Sequence, residues 1–305
     1  MLDRRNALKK MCTFSAVGFG ASFVPSVLAQ ESCEDPIGVG SGGNAELAEN
    51  RLTYVKVDPL AVAKRAYEGY DRGGCMYGVF DAVVQELAEQ GHEDASRFAA
   101  IPTNMAAYGG GGIAGIGSLC GCVNAAAMCV NLLKADNLDN NQVIKSVFRF
   151  YEKTSMPRGT QEFLEAIGAP TRHTDAGELL TADLIGQSVA NSILCHTSVS
   201  LWSKASKFGS SHAAKLERCA QVTAEIAFMT VTFLNDAIDG KLEAEQVAPS
   251  NAECSGCHSS TKREPDAYLG SDVNSTLQCQ TCHTSHDMTG GAPVHEDLSC
   301  SDCHD

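Results

Sequence analysis

Three copies of one cysteine and histidine pattern lie within the last 52 residues of the chain. In each copy two cysteines are separated by two residues, and a histidine follows at once. Such thiols add to the vinyl groups of one porphyrin, and the adjacent imidazole binds its iron. A zinc ribbon also uses paired cysteines, but it does not need a histidine after every second one. The motifs therefore predict three covalent haems c, at Cys254-x-x-Cys257-His258, Cys279-x-x-Cys282-His283 and Cys300-x-x-Cys303-His304.

The second axial ligands of these haems are expected from histidines outside the motifs. His286 and His295 lie in the same segment, and His286 could serve a neighbouring haem although it follows its own motif too closely to reach the opposite face. The third distal ligand is then expected from the helical region or from another subunit, with His196 and His212 as the better candidates. Met288 is an alternative, because a thioether ligand would raise the reduction potential.

Seven further cysteines lie outside the motifs and outside the first 29 residues. An odd number cannot pair completely into disulfides within one chain. The thiols could be buried, because cysteine behaves as a small hydrophobe in helices, or some could form disulfides in an oxidising compartment. They could also converge on a metal cluster, since thiolates hold iron–sulfur centres. The set consists of Cys33, Cys75, Cys120, Cys122, Cys129, Cys195 and Cys219.

Apolar residues recur at helical spacing from residue 58 to residue 243, which predicts an α-helical bundle. Asp58-Pro59 is a good N-cap and first-turn pair for its first helix. Asp139 is expected to cap a later helix, and the last helix should end near Gly240. A loop at residues 109–112 is expected to precede a helix over about residues 113–134, and no convincing pairs of strands are visible.

The last segment, residues 244–305, has few large apolar residues and many turn formers. It has little with which to build a core of its own, and three porphyrins would supply that core. Eleven acidic and three basic side chains between residues 241 and 305 give this region a net charge of −8. The expected fold is therefore all-α, with a helical bundle domain followed by a loop-rich multihaem c-type cytochrome tail.

The first 29 residues have the features of an export signal. Arg4-Arg5 is followed by Leu8-Lys9, which is typical of the twin-arginine route, and cleavage is expected after Ala29. An ordinary secretory signal is the alternative. The apolar stretch is short and broken by glycine and proline, so no membrane span is expected in the mature chain. Residues 30–57 are expected to form a flexible leader, and the protein is expected to be periplasmic.

The net charge of the whole chain is −14, and removal of the signal would make it −17. A strongly acidic surface argues against nucleic acid and anionic lipid as partners. It favours a redox protein partner with a basic docking patch. Closely spaced haems suit electron storage and relay. The alternative is a haem-dependent reductase of a small nitrogen or oxygen species, which would need one iron with an open position, and a redox sensor that uses the helical cysteines is a further alternative.

Several segments of the helical region resemble a family of redox proteins named for a Cys…Gly-Cys-Ala…Cys…Cys pattern. The chain as a whole resembles the split-Soret cytochromes c, which join this domain to a C-terminal haem-binding tail behind an export signal. The resemblance covers about residues 58–305. The segments are Ala66-Tyr67-Glu68-Gly69-Tyr70, Gly74-Cys75-Met76, Tyr108-Gly109-Gly110-Gly111-Gly112, Leu119-Cys120-Gly121, Cys195-His196-Thr197-Ser198 with Trp202, and Glu217-Arg218-Cys219-Ala220.

The resemblance implies a homodimer with its haems clustered at one end, histidine ligation that can cross between subunits, and an additional iron–sulfur centre. Carried over by position, the ligands of that centre are Cys75, Cys120, Cys195 and Cys219, with Cys122 and Cys129 as lesser candidates. This sequence departs from the family pattern in two respects. It has three haem motifs where the family usually has two, and Val123 replaces the alanine of the Gly-Cys-Ala triplet.

Overall fold

The computed structural model describes residues 50–243 and 275–281, which belong to one compact unit and are mostly helical, as expected. No helix in these two ranges is long and apolar enough to cross a membrane. Short 3₁₀ turns lie at Thr103–Gly109 and Cys279–Thr281. The helices are α1 (Pro59–Glu89), α2 (Ala95–Ala99), α3 (Gly121–Leu132), α4 (Asn140–Lys153), α5 (Gln161–Ile167), α6 (Ala182–Ile185), α7 (Cys195–Ser206) and α8 (Ala213–Ile238).

Helix α1 is 31 residues long and is interrupted at Gly74. Its start matches the expectation, because the Asp58 carboxylate accepts a hydrogen bond of 3.0 Å from the backbone amide of Leu60. Pro59 occupies the first turn, where no amide donor is needed. At Gly74 φ is +79°, a value that residues with a Cβ rarely adopt. The helix resumes with Cys75, so this break determines where that thiol lies.

Helix α8 packs most extensively against α1 and also contacts α3 and α4. Gly78 of α1 permits the close approach. A Cβ at this position would lie 2.8 Å from the carbonyl oxygen of Ala66 and 2.8 Å from Cγ2 of Thr223 on α8. Val222 and Ile226 of α8 are buried in the main core, where each such side chain contributes about 1.5–3 kcal/mol.

The ends of two later helices were predicted correctly. The Asp139 carboxylate caps α4 by accepting a hydrogen bond of 3.1 Å from the amide of Gln142. Helix α8 ends at Ile238, and Gly240 follows with φ of +69°. A glycine in the left-handed conformation is a common helix stop.

The helix expected over residues 113–134 is a shorter helix in the structure. Residues 109–118, called here the glycine loop, form tight turns, and α3 begins only at Gly121. Ile113 and Ala114 have φ of +61° and +51°, and four glycines of the loop also have positive φ. Successive left-handed residues cannot continue a right-handed helix. The expectation was therefore wrong at the start of this helix.

Two short strand pairs were also missed. β1 (Leu52–Thr53) pairs in parallel with β2 (Leu133–Lys134), and β3 (Ser155–Met156) pairs antiparallel with β4 (Ser188–Val189). Strands of two residues are too short to show an alternating pattern. β1 lies at the end of the expected leader, where Leu52, Tyr54 and Val57 are buried in the main core, so residues 50–57 pack with the helical region.

Candidate metal centre

Five cysteines from four helices line one cavity of about 50 Å³. Cys75 comes from α1 just after its break, and Cys219 comes from α8. Cys120 and Cys122 lie at the start of α3, and Cys195 is the first residue of α7. Cys195 and Cys219 are half-buried, and the other three cysteines are buried. Residues that are far apart in the sequence thus bring five thiols to one place.

A short antiparallel bridge holds the starts of α3 and α7 together. Leu119 pairs with Leu194. The Cys120 amide donates a hydrogen bond of 2.9 Å to the carbonyl of Ile193, and the Cys195 amide donates one of 2.8 Å to the carbonyl of Ser118. Both thiols consequently lie at helix N-termini, where the helix dipole favours the thiolate over the thiol.

Two glycines make room for the thiols. A Cβ at Gly121 would lie 2.6 Å from Sγ of Cys75, and one at Gly112 would lie 2.6 Å from Cβ of Cys195. Gly112 also has φ of +70°. Larger residues at these positions would push the cysteine-bearing segments apart, so the cavity requires glycine at both positions.

The thiols interact with one another. Hydrogen bonds from Cys122 and Cys75 hold the pKa of Cys120 well below its usual range. The same contacts with Cys120, together with burial, raise the pKa of Cys122 and of Cys75. Burial also raises the pKa of Cys195 to about 12. A metal would have to displace the protons of the thiols that bind it.

The metal-ligating side chains are not arranged around a single ion. Within residues 50–243 and 275–281, no three histidine, cysteine or carboxylate groups surround one ion position. The five cysteines nevertheless line a common cavity. The thiols are not arranged as metal ligands because their side-chain rotamers direct them into hydrogen bonds with one another. The position of the cavity is determined by the backbone and does not depend on these rotamers.

A buried cation lies beside the thiols. Arg218 is 2% exposed and lines the cavity. It donates a hydrogen bond of 2.7 Å to Oγ of Ser198 and contacts Sγ of Cys219 at 3.8 Å. Among the described residues it forms no salt bridge with a carboxylate, and its Nε has no acceptor. Its charge opposes the rise in the pKa of the buried Glu225, whose salt bridge is with Arg158. Burial lowers the pKa of Arg218, but the nearby Cys219, Tyr151 and Cys120 outweigh this effect and raise it.

Two tyrosines complete the surroundings of the thiols. The Tyr151 hydroxyl is buried next to Cys120, and within the described ranges it has no partner of ordinary hydrogen-bond geometry. Tyr70 lines the cavity, and the Arg172 guanidinium lies 5.4 Å from its ring centroid. Burial raises the pKa of both tyrosines, so both hydroxyls stay protonated at neutral pH.

This set of groups fits a thiolate-bound metal centre. Soft thiolates bind zinc, copper(I) and iron–sulfur clusters. An anionic centre would also give the Arg218 guanidinium a counter-charge, which a buried cation requires. The Tyr151 hydroxyl, which lies next to Cys120, could donate to such a centre.

A comparison with protein families decides the kind of protein. Residues 75–233 match the family described as "Putative redox-active protein (C_GCAxxG_C_C)". The chain belongs to this family. Its matched segment begins at Cys75 and contains the other four cysteines of the cavity, so the family's redox-active character concerns the part of the chain that holds the thiols.

A similar protein combines this domain with haem. The chain is 29% identical to split-Soret cytochrome c from Desulfovibrio desulfuricans over 267 residues, which are 81% of this chain and 88% of that protein. A solved structure of that cytochrome, described as having a novel iron centre, matches with a TM-score of 0.61 and 28% identity over 76% of this chain and 90% of that one. The chain is thus a split-Soret cytochrome c homologue of the redox-active family, with a redox or electron-transfer role.

The family pattern bears on the choice of cysteines. Its Gly-Cys-Ala triplet coincides with Gly121-Cys122-Val123, so Cys122 corresponds to the cysteine of the triplet. Cys120 was the ligand expected from the sequence, and both Cys120 and Cys122 line the cavity. Cys129 lies two turns further along α3, is buried in the main core and does not line the cavity. Burial raises its pKa, as expected for a core thiol.

The two histidines considered as distal haem ligands lie near the ends of α7 and α8. His196 is exposed, and its Cβ lies 3.1 Å from the position of a Cβ built on Gly117. His212 precedes α8, and its Nδ1 accepts a hydrogen bond of 3.0 Å from the amide of Ala214. Its ring stacks on Phe208 at 4.5 Å. Nδ1 is therefore engaged in helix capping, which leaves Nε2 as the ring nitrogen that could bind iron.

Of the haem-attachment residues, Cys279 is described. It is half-buried and begins the 3₁₀ turn Cys279–Thr281. The Thr281 hydroxyl donates a hydrogen bond to the carbonyl of Asn191. The other motif residues and the two tail histidines lie outside the described residues: Cys254, Cys257, His258, Cys282, His283, His286, His295, Cys300, Cys303 and His304.

Sequence reasoning missed four residues of the site: Tyr70, Tyr151, Lys215 and Arg218. Arg218 had a signal, because it directly precedes Cys219 within the segment that resembles the family. Tyr151 had none, since it lies on α4 at helical spacing with ordinary core residues. Its position near Cys120 depends on how α3 and α4 pack.

Proposed function

We propose that this chain is an exported multihaem c-type cytochrome of the split-Soret type, which stores and relays electrons. The observation that carries the proposal is the cavity itself, where five cysteines meet a buried guanidinium without a carboxylate partner among the described residues. The same chain contains three Cys-x-x-Cys-His motifs. One molecule would then hold two kinds of one-electron carrier.

An iron–sulfur centre is the group that we assign to the cavity. Cys75, Cys195 and Cys219 would bind it together with Cys120 or Cys122. When bound, it would accept and release single electrons. Arg218 would offset part of its negative charge, and the Tyr151 hydroxyl would donate a hydrogen bond toward it. The iron centre described for the homologous cytochrome supports this assignment.

The haems are assigned from the sequence motifs. Cys254 and Cys257, Cys279 and Cys282, and Cys300 and Cys303 would each hold one porphyrin covalently, with His258, His283 and His304 as proximal ligands. His286, His295, and either His196 or His212 would supply the distal ligands. Histidines on both faces would leave no open position on the iron, which suits electron relay.

The organisation of the chain follows from these assignments. Residues 1–29 would direct export to the periplasm by the twin-arginine route. Residues 30–57 would connect this signal to the helical domain, and residues 50–57 pack with that domain. Residues 58–243 would form the helical Cys-rich domain, which would dimerise, and residues 244–305 would present the haems to a redox partner with a basic docking patch.

A cofactor inventory tests the proposal. Haem, total iron and acid-labile sulfide should be counted per chain in protein purified without oxygen. We expect three haems, with iron in excess of three and sulfide that accounts for the excess. Three haems with three irons and no sulfide would contradict the iron–sulfur assignment, and fewer than three haems would contradict the assignment of the motifs.

Cysteine variants locate the centre. Cys75→Ser should lose the excess iron and the sulfide while it retains the haems, because Cys75 lines the cavity. Cys129→Ser is the matched control, since Cys129 is also buried but lies away from the cavity, and it should retain both. Equal loss of iron from the two variants would indicate general destabilisation and would contradict the site.

A further inference from the structure

The second haem motif begins in direct contact with the helical domain. Cys279 is half-buried, and two residues later the Thr281 hydroxyl donates a hydrogen bond to the backbone carbonyl of Asn191. The same segment also touches the end of α4, because the backbone of Gln278 donates a hydrogen bond to the Glu152 carboxylate. Burial raises the pKa of Glu152, and this hydrogen bond and the charge of Arg149 oppose the rise. Two contacts therefore fix residues 278–281 on the helical domain.

The surface that receives this segment is held firmly. The Asn191 amide donates a hydrogen bond of 2.9 Å to the carbonyl of Glu152. Ser192 is buried, and its Oγ accepts a hydrogen bond of 3.2 Å from the amide of Leu194. Asn191 has φ of +51°, a value at which asparagine is more common than most residues. Residues 191–194 thus have a defined conformation.

This surface leads directly to the thiol cavity. The carbonyl of Ile193, two residues after Asn191, accepts the hydrogen bond of 2.9 Å from the amide of Cys120. Two residues further along is Cys195, whose thiol lines the same cavity. The connection from Thr281 to Cys120 therefore consists of one hydrogen bond, the backbone of three residues and a second hydrogen bond.

We propose that this connection conducts electrons between the haem attached at Cys279 and the thiolate-bound centre. The inference rests on the proposed function, because it needs both groups. A ferrous haem iron would lose one electron and become ferric, and the oxidised centre would gain that electron. No bond forms or breaks, and no other reactant is required. The transfer would also work in the opposite direction when the centre is the donor.

The physical reason is the dependence of electron transfer on the intervening medium. Electronic coupling decays more slowly along covalent bonds and hydrogen bonds than across a gap. The path reaches a cavity thiol even if Cys122 and not Cys120 is a ligand. Residues 191–195 form one continuous backbone segment that ends at Cys195, which also lines the cavity. Thr281 and Asn191 are thus positioning residues, since their hydrogen bond holds residues 278–281 against the backbone segment 191–195.

Thr281→Val tests the path. The substitution keeps the side-chain shape and both cysteines of the motif, and it removes the hydroxyl that donates to Asn191. After rapid photoreduction of the haems, haem absorbance and the electron paramagnetic resonance signal of the centre should be followed in time. We expect slower transfer from haem to centre with unchanged reduction potentials of both groups. Hydrogen exchange at residues 275–281 should rise roughly fivefold, the factor that one neutral hydrogen bond contributes to an equilibrium.

Two further variants separate the path from a general effect. Thr281→Ser retains the hydroxyl and should keep the original rate. Ser301→Ala removes a hydroxyl from between the two cysteines of the third motif and should leave the transfer to the centre unchanged. Slowing by Ser301→Ala that equals the slowing by Thr281→Val would overturn the inference.

The failure of this inference differs from the failure of the proposed function. An unchanged rate in Thr281→Val, with the centre and the haems present, overturns the path and leaves the proposed cofactors intact. A wild-type protein that contains both groups but shows no transfer between them has the same consequence. A cofactor inventory without excess iron overturns both.

Discussion

Arg218 is the residue that most constrains what the thiol cavity can hold. Its guanidinium is buried, and among the described residues it has Ser198 and Cys219 as partners but no carboxylate. A buried charge without a counter-charge costs several kcal/mol. The Glu225 carboxylate interacts with this charge without forming a salt bridge to it, so negative charge in the cavity would offset part of the cost. Thiolates supply that charge, and thiolates bound to iron would fix it in place.

Replacement of Arg218 should lower the reduction potential of the centre. In Arg218→Met the cation that stabilises the more negative, reduced state is lost. We expect a potential roughly 100 mV lower, the effect of a unit charge several ångströms away at an effective dielectric constant near 20. A redox titration followed by electron paramagnetic resonance measures the shift.

Two variants control for charge and for packing. Arg218→Lys keeps the positive charge and should recover most of the potential. Arg65→Met removes a guanidinium from the surface of α1, where it pairs with Glu86 and Glu89, and it should leave the potential unchanged. The same potential in Arg218→Met and in the wild type would show that the guanidinium does not act on the centre.

The helices differ in how well the sequence predicts them. α1, α4 and α8 were predicted because their caps and apolar periodicity are local features. The start of α3 was not, since the glycine loop contains Ile113 and Ala114 in left-handed conformations that their residue types do not indicate. The two-residue strands were missed because they contain no repeating pattern.

The thiol cavity was predicted only in part, for a related reason. The sequence indicated that the cysteines could converge, since Cys120 and Cys122 follow a Gly-rich stretch and the other three lie on separate predicted helices. It could not show that Cys129 lies in the core, because this depends on the face of α3 that packs inward. It also could not show the contact of Tyr151 with Cys120, which requires the packing of α3 against α4. Long-range contacts of this kind carry no local signal.

The contact between α1 and α8 should be sensitive to the size of residue 78. Gly78→Ala gains helix propensity of about 1 kcal/mol, but the added Cβ would lie 2.8 Å from a backbone oxygen and from Thr223. Overpacking of this kind costs about 1–3 kcal/mol, and a backbone atom cannot easily move away. We expect a lower free energy of unfolding, by roughly 1 kcal/mol, in denaturant titrations.

Gly91→Ala is the matched control for this substitution. Gly91 follows the end of α1, and no atom lies within 4 Å of the position of its Cβ. This variant should have a free energy of unfolding within about 0.5 kcal/mol of the wild type. If Gly78→Ala is as stable as the wild type, the two helices can separate at this point without cost, and the close contact is not a determinant of the fold.

In the whole molecule, the proposed redox groups belong to two regions that differ in apolar content and in charge. The helical domain buries three of the five cavity thiols in a packed core and has a cation beside them. The tail has little apolar sequence and a net charge of −8 between residues 241 and 305. A buried centre exchanges electrons with an external partner less readily than haems near a surface. Electrons should therefore enter or leave through the tail, where the acidic charge selects the partner.

The acidic tail should make electron exchange with a basic partner depend on salt. With a strongly basic monohaem cytochrome c as the probe, we expect the second-order rate constant to fall about tenfold or more as ionic strength rises from low to high, because screening removes electrostatic steering. Glu296→Gln with Asp297→Asn should weaken this dependence. Glu68→Gln removes an exposed acid from α1 in the helical domain and should change it much less. A rate constant independent of salt, or equal effects of the tail and helical variants, would mean that the charge of the tail does not guide docking.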